Sequence, residues 1–116
     1  MANNKDFIVK VGLEVNGSLN YRTGVISSGT VDLSTGCHFK ETLSANTTYT
    51  FSNAETVQVF QIEITGASTY TITWPSSVDW AYGMAPDSPA DGEIKLYNFI
   101  TADGGTTYIG GLSHVQ

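Results

Sequence analysis

Apolar and polar positions alternate from the start of the chain. Phe7, Val9, Val11, Leu13 and Val15 fall on one side of the count, and Ile8, Lys10, Gly12, Glu14 and Asn16 on the other. A period of two is that of a strand with one face set apart for burial. Asn16-Gly17 supplies the two residues of a tight hairpin turn, and Leu19 and Tyr21 would begin the return strand. Residues 1–22 are therefore predicted to form a polar arm followed by a hairpin. A long strand at a chain end exposes unpaired backbone unless another chain covers it, so Phe7, Val9 and Val11 are candidate assembly contacts.

The same period recurs in shorter pieces downstream. Thr30 to Leu33 predicts a strand closed by Ser34-Thr35-Gly36. Cys37, Phe39, Glu41 and Leu43 share one face of the next, and Tyr49 and Phe51 point inward from the one after Ala45-Asn46-Thr47. The run Thr56 to Thr65 is the most apolar, with its phase changing between Val59 and Phe60. That change predicts either a bulge or burial on both faces. Gly66-Ala67-Ser68 is expected to form a hairpin into Tyr70-Thr71-Ile72-Thr73-Trp74, where Pro75 ends the ladder and Ser76-Ser77 turn the chain back to Val78 and Trp80. Residues 82–92 contain two prolines and several small residues and predict a loop. Glu93 to Thr101 predicts a strand with a second phase change at Leu96/Tyr97, and Asp103-Gly104-Gly105 a tight turn into Thr106 to Leu112, with Ser113 to Gln116 as a tail. If each phase change marks a face turned toward a neighbour, Phe60 and Tyr97 are further assembly contacts. Eight to ten short strands in a single domain over 1–116 predict an all-β fold, a β-sandwich or a flattened antiparallel barrel with an extended N-terminal arm.

Composition changes this picture little and narrows function more. Charged residues are few, and the formal net charge is −6. Such a chain is repelled by nucleic acid and by anionic membranes. Lys5, Lys10, Arg22, Lys40 and Lys95 are scattered and form no patch. No stretch has the length of a membrane span, and Met-Ala-Asn-Asn-Lys does not read as a signal peptide. The single cysteine, Cys37, leaves no internal disulfide and no metal pattern, in keeping with a protein made in a reducing cytoplasm.

No constellation for catalysis stands out. Cys37 and His38 are adjacent, and neighbouring strand residues face opposite sides, so a core cysteine is the simpler reading. Asp79, Asp87, Asp91, Glu93 and Asp103 cluster in the C-terminal half. Asp87, Asp91 and Asp103 have the sequence context of turn aspartates, and residues 87–91 match no calcium-loop spacing. No catalytic residue, cofactor or metal site is therefore expected. Trp74, Trp80 and Tyr82 are the candidate glycan or interface aromatics, weighed against a core role that the two tryptophans fit better. Asn16-Gly17-Ser18 and Asn46-Thr47-Thr48 fit the glycosylation pattern and are read as turns.

One stretch carries a resemblance. Ile72-Thr73-Trp74-Pro75-Ser76-Ser77-Val78-Asp79-Trp80, then Ala85-Pro86, then Asp103-Gly104-Gly105-Thr106-Thr107-Tyr108 with Gly110 behind them, resembles the C-terminal modules of marine and cyanobacterial phage tail fibres and related capsid-surface proteins. The opening Lys5 to Ser18 is similar to a segment of phage fibre proteins. The resemblance implies a virion structural protein assembled in the host cytoplasm. The leading expectation is a capsid decoration, or cement, protein on the capsid exterior, in contact with the major capsid protein and acting as a homotrimer. The alternative is a receptor-binding tail-fibre or tail-tip module that touches host surface glycan.

Overall fold

The computed structural model describes residues 10–18 and 22–116. Ten strands lie within them: β1 Val25–Ser27, β2 Thr30–Asp32, β3 His38–Thr42, β4 Thr47–Thr48, β5 Thr50–Ser52, β6 Gln58–Thr65, β7 Ile72–Thr73, β8 Val78–Trp80, β9 Ile94–Thr101 and β10 Tyr108–Val115, with one 3-10 turn at Ala81–Gly83. They form three sheets, with strand orders β3-β6-β9-β10-β8, β1-β2-β5 and β4-β7. The five-stranded sheet is one layer, and the two small sheets cover its inner face as the other. The fold is an all-β sandwich that does not close into a barrel.

The sheets are mixed rather than antiparallel. β3 runs parallel to β6, β2 to β5, β4 to β7 and β8 to β10. The cause is the path of the chain. After β3 it crosses to the second layer to make β4 and β5, then returns as β6, and two strands of one sheet joined through the other layer can run the same way. The hairpin expected at Gly66-Ala67-Ser68 is therefore absent. β6 pairs with β9 along Gln58↔Thr101 through Thr65↔Ile94, and β7 leaves for the other layer beside β4. Sequential hairpins form at β9–β10 and at β1–β2, where Ser28 (φ 50°) and Gly29 (φ 82°) give the two positive-φ positions of a type I′ turn.

Neither phase change is a bulge. The β6–β9 ladder is continuous across both. Phe60, Ile62 and Ile64 face inward from β6, and Lys95, Tyr97, Phe99 and Thr101 from β9. Val57 and Val59 are simply apolar side chains in solvent. On β9 a lysine occupies an inward position and disguises the phase; its Nζ donates to the Asp87 carbonyl oxygen at 2.7 Å and lies 3.9 Å from Glu93 Oε1. Phe60 is 1% exposed and Tyr97 is 0% exposed, so these two candidate assembly contacts are core residues. β10 also runs on to Val115, with a register shift between Leu112 and His114, where a tail was expected.

The core is an aromatic stack between the layers. Phe51 of the small layer meets Phe60, Phe99 and Tyr108 of the large sheet with ring centroids 4.9–5.1 Å apart, edge to face. Phe60 and Phe99 stack at 5.1 Å. Within this core the Tyr97 hydroxyl has no hydrogen-bond partner among the described residues. A buried unpaired hydroxyl costs roughly 1–3 kcal/mol of desolvation. Tyr97→Phe is thus expected to leave stability unchanged or raise it by about 1 kcal/mol, as read by urea unfolding; a loss of similar size would reveal a partner for the hydroxyl.

The arm differs from expectation. Residues 10–18 contain no strand and are exposed throughout. Phe7 and Val9, and Leu19 and Tyr21 of the expected return strand, lie outside the described residues, so only the Val11 end of the proposed contact is on view.

Candidate assembly surface

Each strand that sends aromatics inward presents its alternate residues on the opposite face. On the outer face of the five-stranded sheet the register brings three of these into one row. Val59 pairs with Ile100, and Ile100 with Ile109. They are 59%, 38% and 62% exposed. Val57, at 64%, adds to the same end of the sheet. The row ends at Asp79, the β8 partner of Ile109. The next row is polar, His38, Gln61, Asn98 and Gly111 in register, with His38 Nδ1 3.0 Å from Gln61 Oε1. The third row carries the Lys40–Glu63 ion pair, N to O 3.6 Å. The exposed apolar side chains thus gather at one end of the face, and the Lys40–Glu63 row, which also holds the half-buried Leu96, lies beyond the polar row. Gly111 contributes no side chain, so an open apolar hollow of about 330 Å³ lies over Gly110 and Gly111, framed by Val59, Ile100 and Ile109.

The edge strands differ in how they are closed. Thr23 bridges to His38, and Gly24 N–H donates to the His38 carbonyl, which caps the start of β3. At the other edge β8 pairs only with Tyr108–Gly110. The outer side of Gly111–Val115 therefore has no strand partner among the described residues. This free edge begins two residues beyond Ile109 and is a template for pairing with another chain.

The other candidate residues fall elsewhere. Trp74 is half-buried and Trp80 is 8% exposed, and their rings meet at 5.6 Å inside the core. Tyr82 is fully exposed, with φ 58° in the turn after β8. The three rings share no platform. Cys37 packs against the core while His38 faces Gln61 on the outside. Among the described residues no three His, Cys, Asp or Glu side chains converge.

Two of the C-terminal aspartates, Asp91 and Asp103, hold turns. Asp91 Oδ1 accepts from Ser68 N–H at 2.9 Å. Asp103 Oδ1 accepts from Thr107 N–H at 2.9 Å and Thr101 Oγ1 at 3.0 Å, and Thr101 Oγ1 accepts from Gly105 N–H. Asp32, at the end of β2, accepts from Asn53 Nδ2 and from both N–H and hydroxyl of Ser34. Hydrogen bonds to the ionised form hold both Asp32 and Asp103 below the ordinary carboxylate value of 3.8. A carboxylate depressed in the folded state contributes stability that is present above its unfolded pKa and lost as pH falls through the folded value. Melting temperature is thus expected to fall on acidification below about 4, and Asp32→Asn with Asp103→Asn to flatten that acid limb. An unchanged limb would show that other groups carry it.

Sequence reasoning missed strand β1, although Ser28-Gly29 is a turn dipeptide that could have marked it. It also missed a polar cleft of about 480 Å³ between that turn and residues 44–48, lined by Glu41, Asn46, Thr47 and Thr48 among others. Glu41 there accepts a hydrogen bond from the Tyr49 hydroxyl, whose pKa is pushed up chiefly by burial and further by this bond.

No family model matches the chain, and the searches of curated proteins and of solved structures also returned no match.

Proposed function

We propose that the chain is a structural module of a bacteriophage virion, a decoration protein that lies on the capsid exterior and binds the major capsid protein and further copies of itself, as a homotrimer. The observation that carries this reading is the exposed apolar row Val59–Ile100–Ile109, with the uncovered edge of β10 beginning two residues beyond it at Gly111. A sheet face of this kind is suited to being covered by protein. The resemblance of Ile72–Trp80, Ala85-Pro86 and Asp103–Tyr108 to phage surface modules supplies the setting, and the acidic surface suits a position away from packaged DNA.

A tail-fibre or tail-tip module in contact with host glycan is the second reading. The polar cleft at Glu41 and Asn46 favours it, since a carboxylate and an amide are the groups that take sugar hydroxyls. Copy number separates the two. Quantifying the protein in purified particles, with its position read from a virion reconstruction, is expected to give hundreds of copies spread over the capsid. A few to a few dozen copies confined to the tail would replace the first reading by the second, and absence from particles would end both.

A further inference from the structure

We propose that the arm of one copy docks on the outer face of a second copy, its Val11, Leu13 and Val15 entering the hollow over Gly110 and Gly111 framed by Val59, Ile100 and Ile109. This rests on reading the chain as an assembly module and names the partner of that face.

The arm and the hollow have matching needs. Val11 is 102% exposed, Leu13 68% and Val15 46%. Extended, they form one apolar side, with Gly12, Glu14 and Asn16 on the other. They belong to no sheet of their own chain among the described residues. The hollow is apolar, and the position of a Gly111 side chain is open space, with nothing within 4 Å. Beside it the uncovered edge of Gly111–Val115 offers the backbone donors and acceptors that an added strand uses.

Charge selects the arm as the partner. The arm, residues 1–21, carries Lys5 and Lys10 against Asp6 and Glu14, a net 0. Arg22 is held on the body, its carbonyl accepting from Cys37 N–H, and residues 22–116 carry three cations against nine carboxylates, a net −6. Two bodies repel, whereas a neutral arm is not repelled. The hollow sits in the acidic part: Asp79 is the register partner of Ile109, and Asp103 lines the adjoining hollow with Ile100 and Ile109. Arm-on-face contact is also heterologous: a copy that receives an arm still has its own to give. Such contacts close into a ring when the rotation allows, and a trimer satisfies this.

The test uses full-length chains with Cys37→Ser. Copies carrying Leu13→Cys are mixed with copies carrying Ile109→Cys and oxidised. The control replaces Ile109→Cys by Val25→Cys, an exposed position in the other layer. Disulfide-linked pairs are expected about tenfold above the control, because docking raises the local thiol concentration. Leu13→Asp is expected to lower the solution mass as Ile109→Asp does, with the β fold kept because both sites are exposed in the single chain. Assembly that is lost in Ile109→Asp but kept in Leu13→Asp would overturn the arm and leave the face reading standing. Links no more frequent than the control would do the same. A chain with both Leu13→Cys and Ile109→Cys that closes on itself at monomer mass would show the arm binding its own body, and would likewise overturn it. Mass unaffected by either substitution, without links, would overturn arm and face together.

Discussion

Trp74→Ala is expected to destabilise the protein by about 3–5 kcal/mol, the range for deleting a large core aromatic. Trp74 follows β7 in the small layer, yet its ring reaches Tyr97 at 4.8 Å, Phe99 at 5.4 Å and Trp80 at 5.6 Å in the large sheet. Tyr49 stacks on it from its own layer at 5.3 Å with an interplanar angle of 26°. Removing the indole therefore opens a void where the two layers meet, and its neighbours are too tightly interlocked to collapse into it. For a domain whose total stability is on the order of 5–15 kcal/mol, the melting temperature should fall by more than about 10 °C. Unchanged melting together with loss of glycan binding would instead put the ring in a ligand site.

Gly66→Ala is the second large effect. A side chain at Gly66 would place its Cβ 2.2 Å from the Ala90 carbonyl oxygen and 2.4 Å from that of Pro89. These are backbone atoms and cannot rotate away. The segment they belong to is fixed on both flanks. Ser88 Oγ accepts from Ile72 N–H at 2.8 Å, Gly92 N–H donates to the Gly66 carbonyl at 2.9 Å, and Lys95 Nζ donates to the Asp87 carbonyl. Relief requires the loop to lift, which would wet Lys95 and expose the buried Pro89. The expected loss is about 3 kcal/mol, with faster amide exchange at Ile72 and Gly92. A variant within about 0.5 kcal/mol of wild type, the usual range of a harmless surface change, would contradict the close approach.

The Trp-containing stretch was legible because its alternation is unambiguous. Ile72 and Trp74 pack inward, Thr71 and Thr73 face solvent, Pro75 ends the strand, and Val78 and Trp80 return to the core about the exposed Asp79. The turn at Asp103-Gly104-Gly105 was legible from its residues, since both glycines take positive φ. At Val59/Phe60 both alternate sets are apolar, so period alone could not say which one faces the core. At Lys95 the inward residue is a lysine whose carbonyl partner lies in a distant loop, and hydropathy counted it as outward. Strand partners were the least legible. Nothing local to Thr65 or Tyr70 says that β6 pairs with β9 while β7 crosses to β4; that choice is made by which faces bury best across the whole chain. The assembly surface followed from the same uncertainty: an apolar neighbour was expected through Phe60 and Tyr97, whereas the exposed apolar residues are the adjacent Val59 and, across from it, Ile100.

Light scattering on the full-length protein beside Ile109→Asp tests the central claim most directly. The account predicts a mass three times 12.4 kDa for the wild type and a shift toward 12.4 kDa for the variant, with the β fold kept because Ile109 is exposed in the single chain. A wild-type monomer that also occupies the particle as isolated single copies, indifferent to Ile109→Asp, would contradict it.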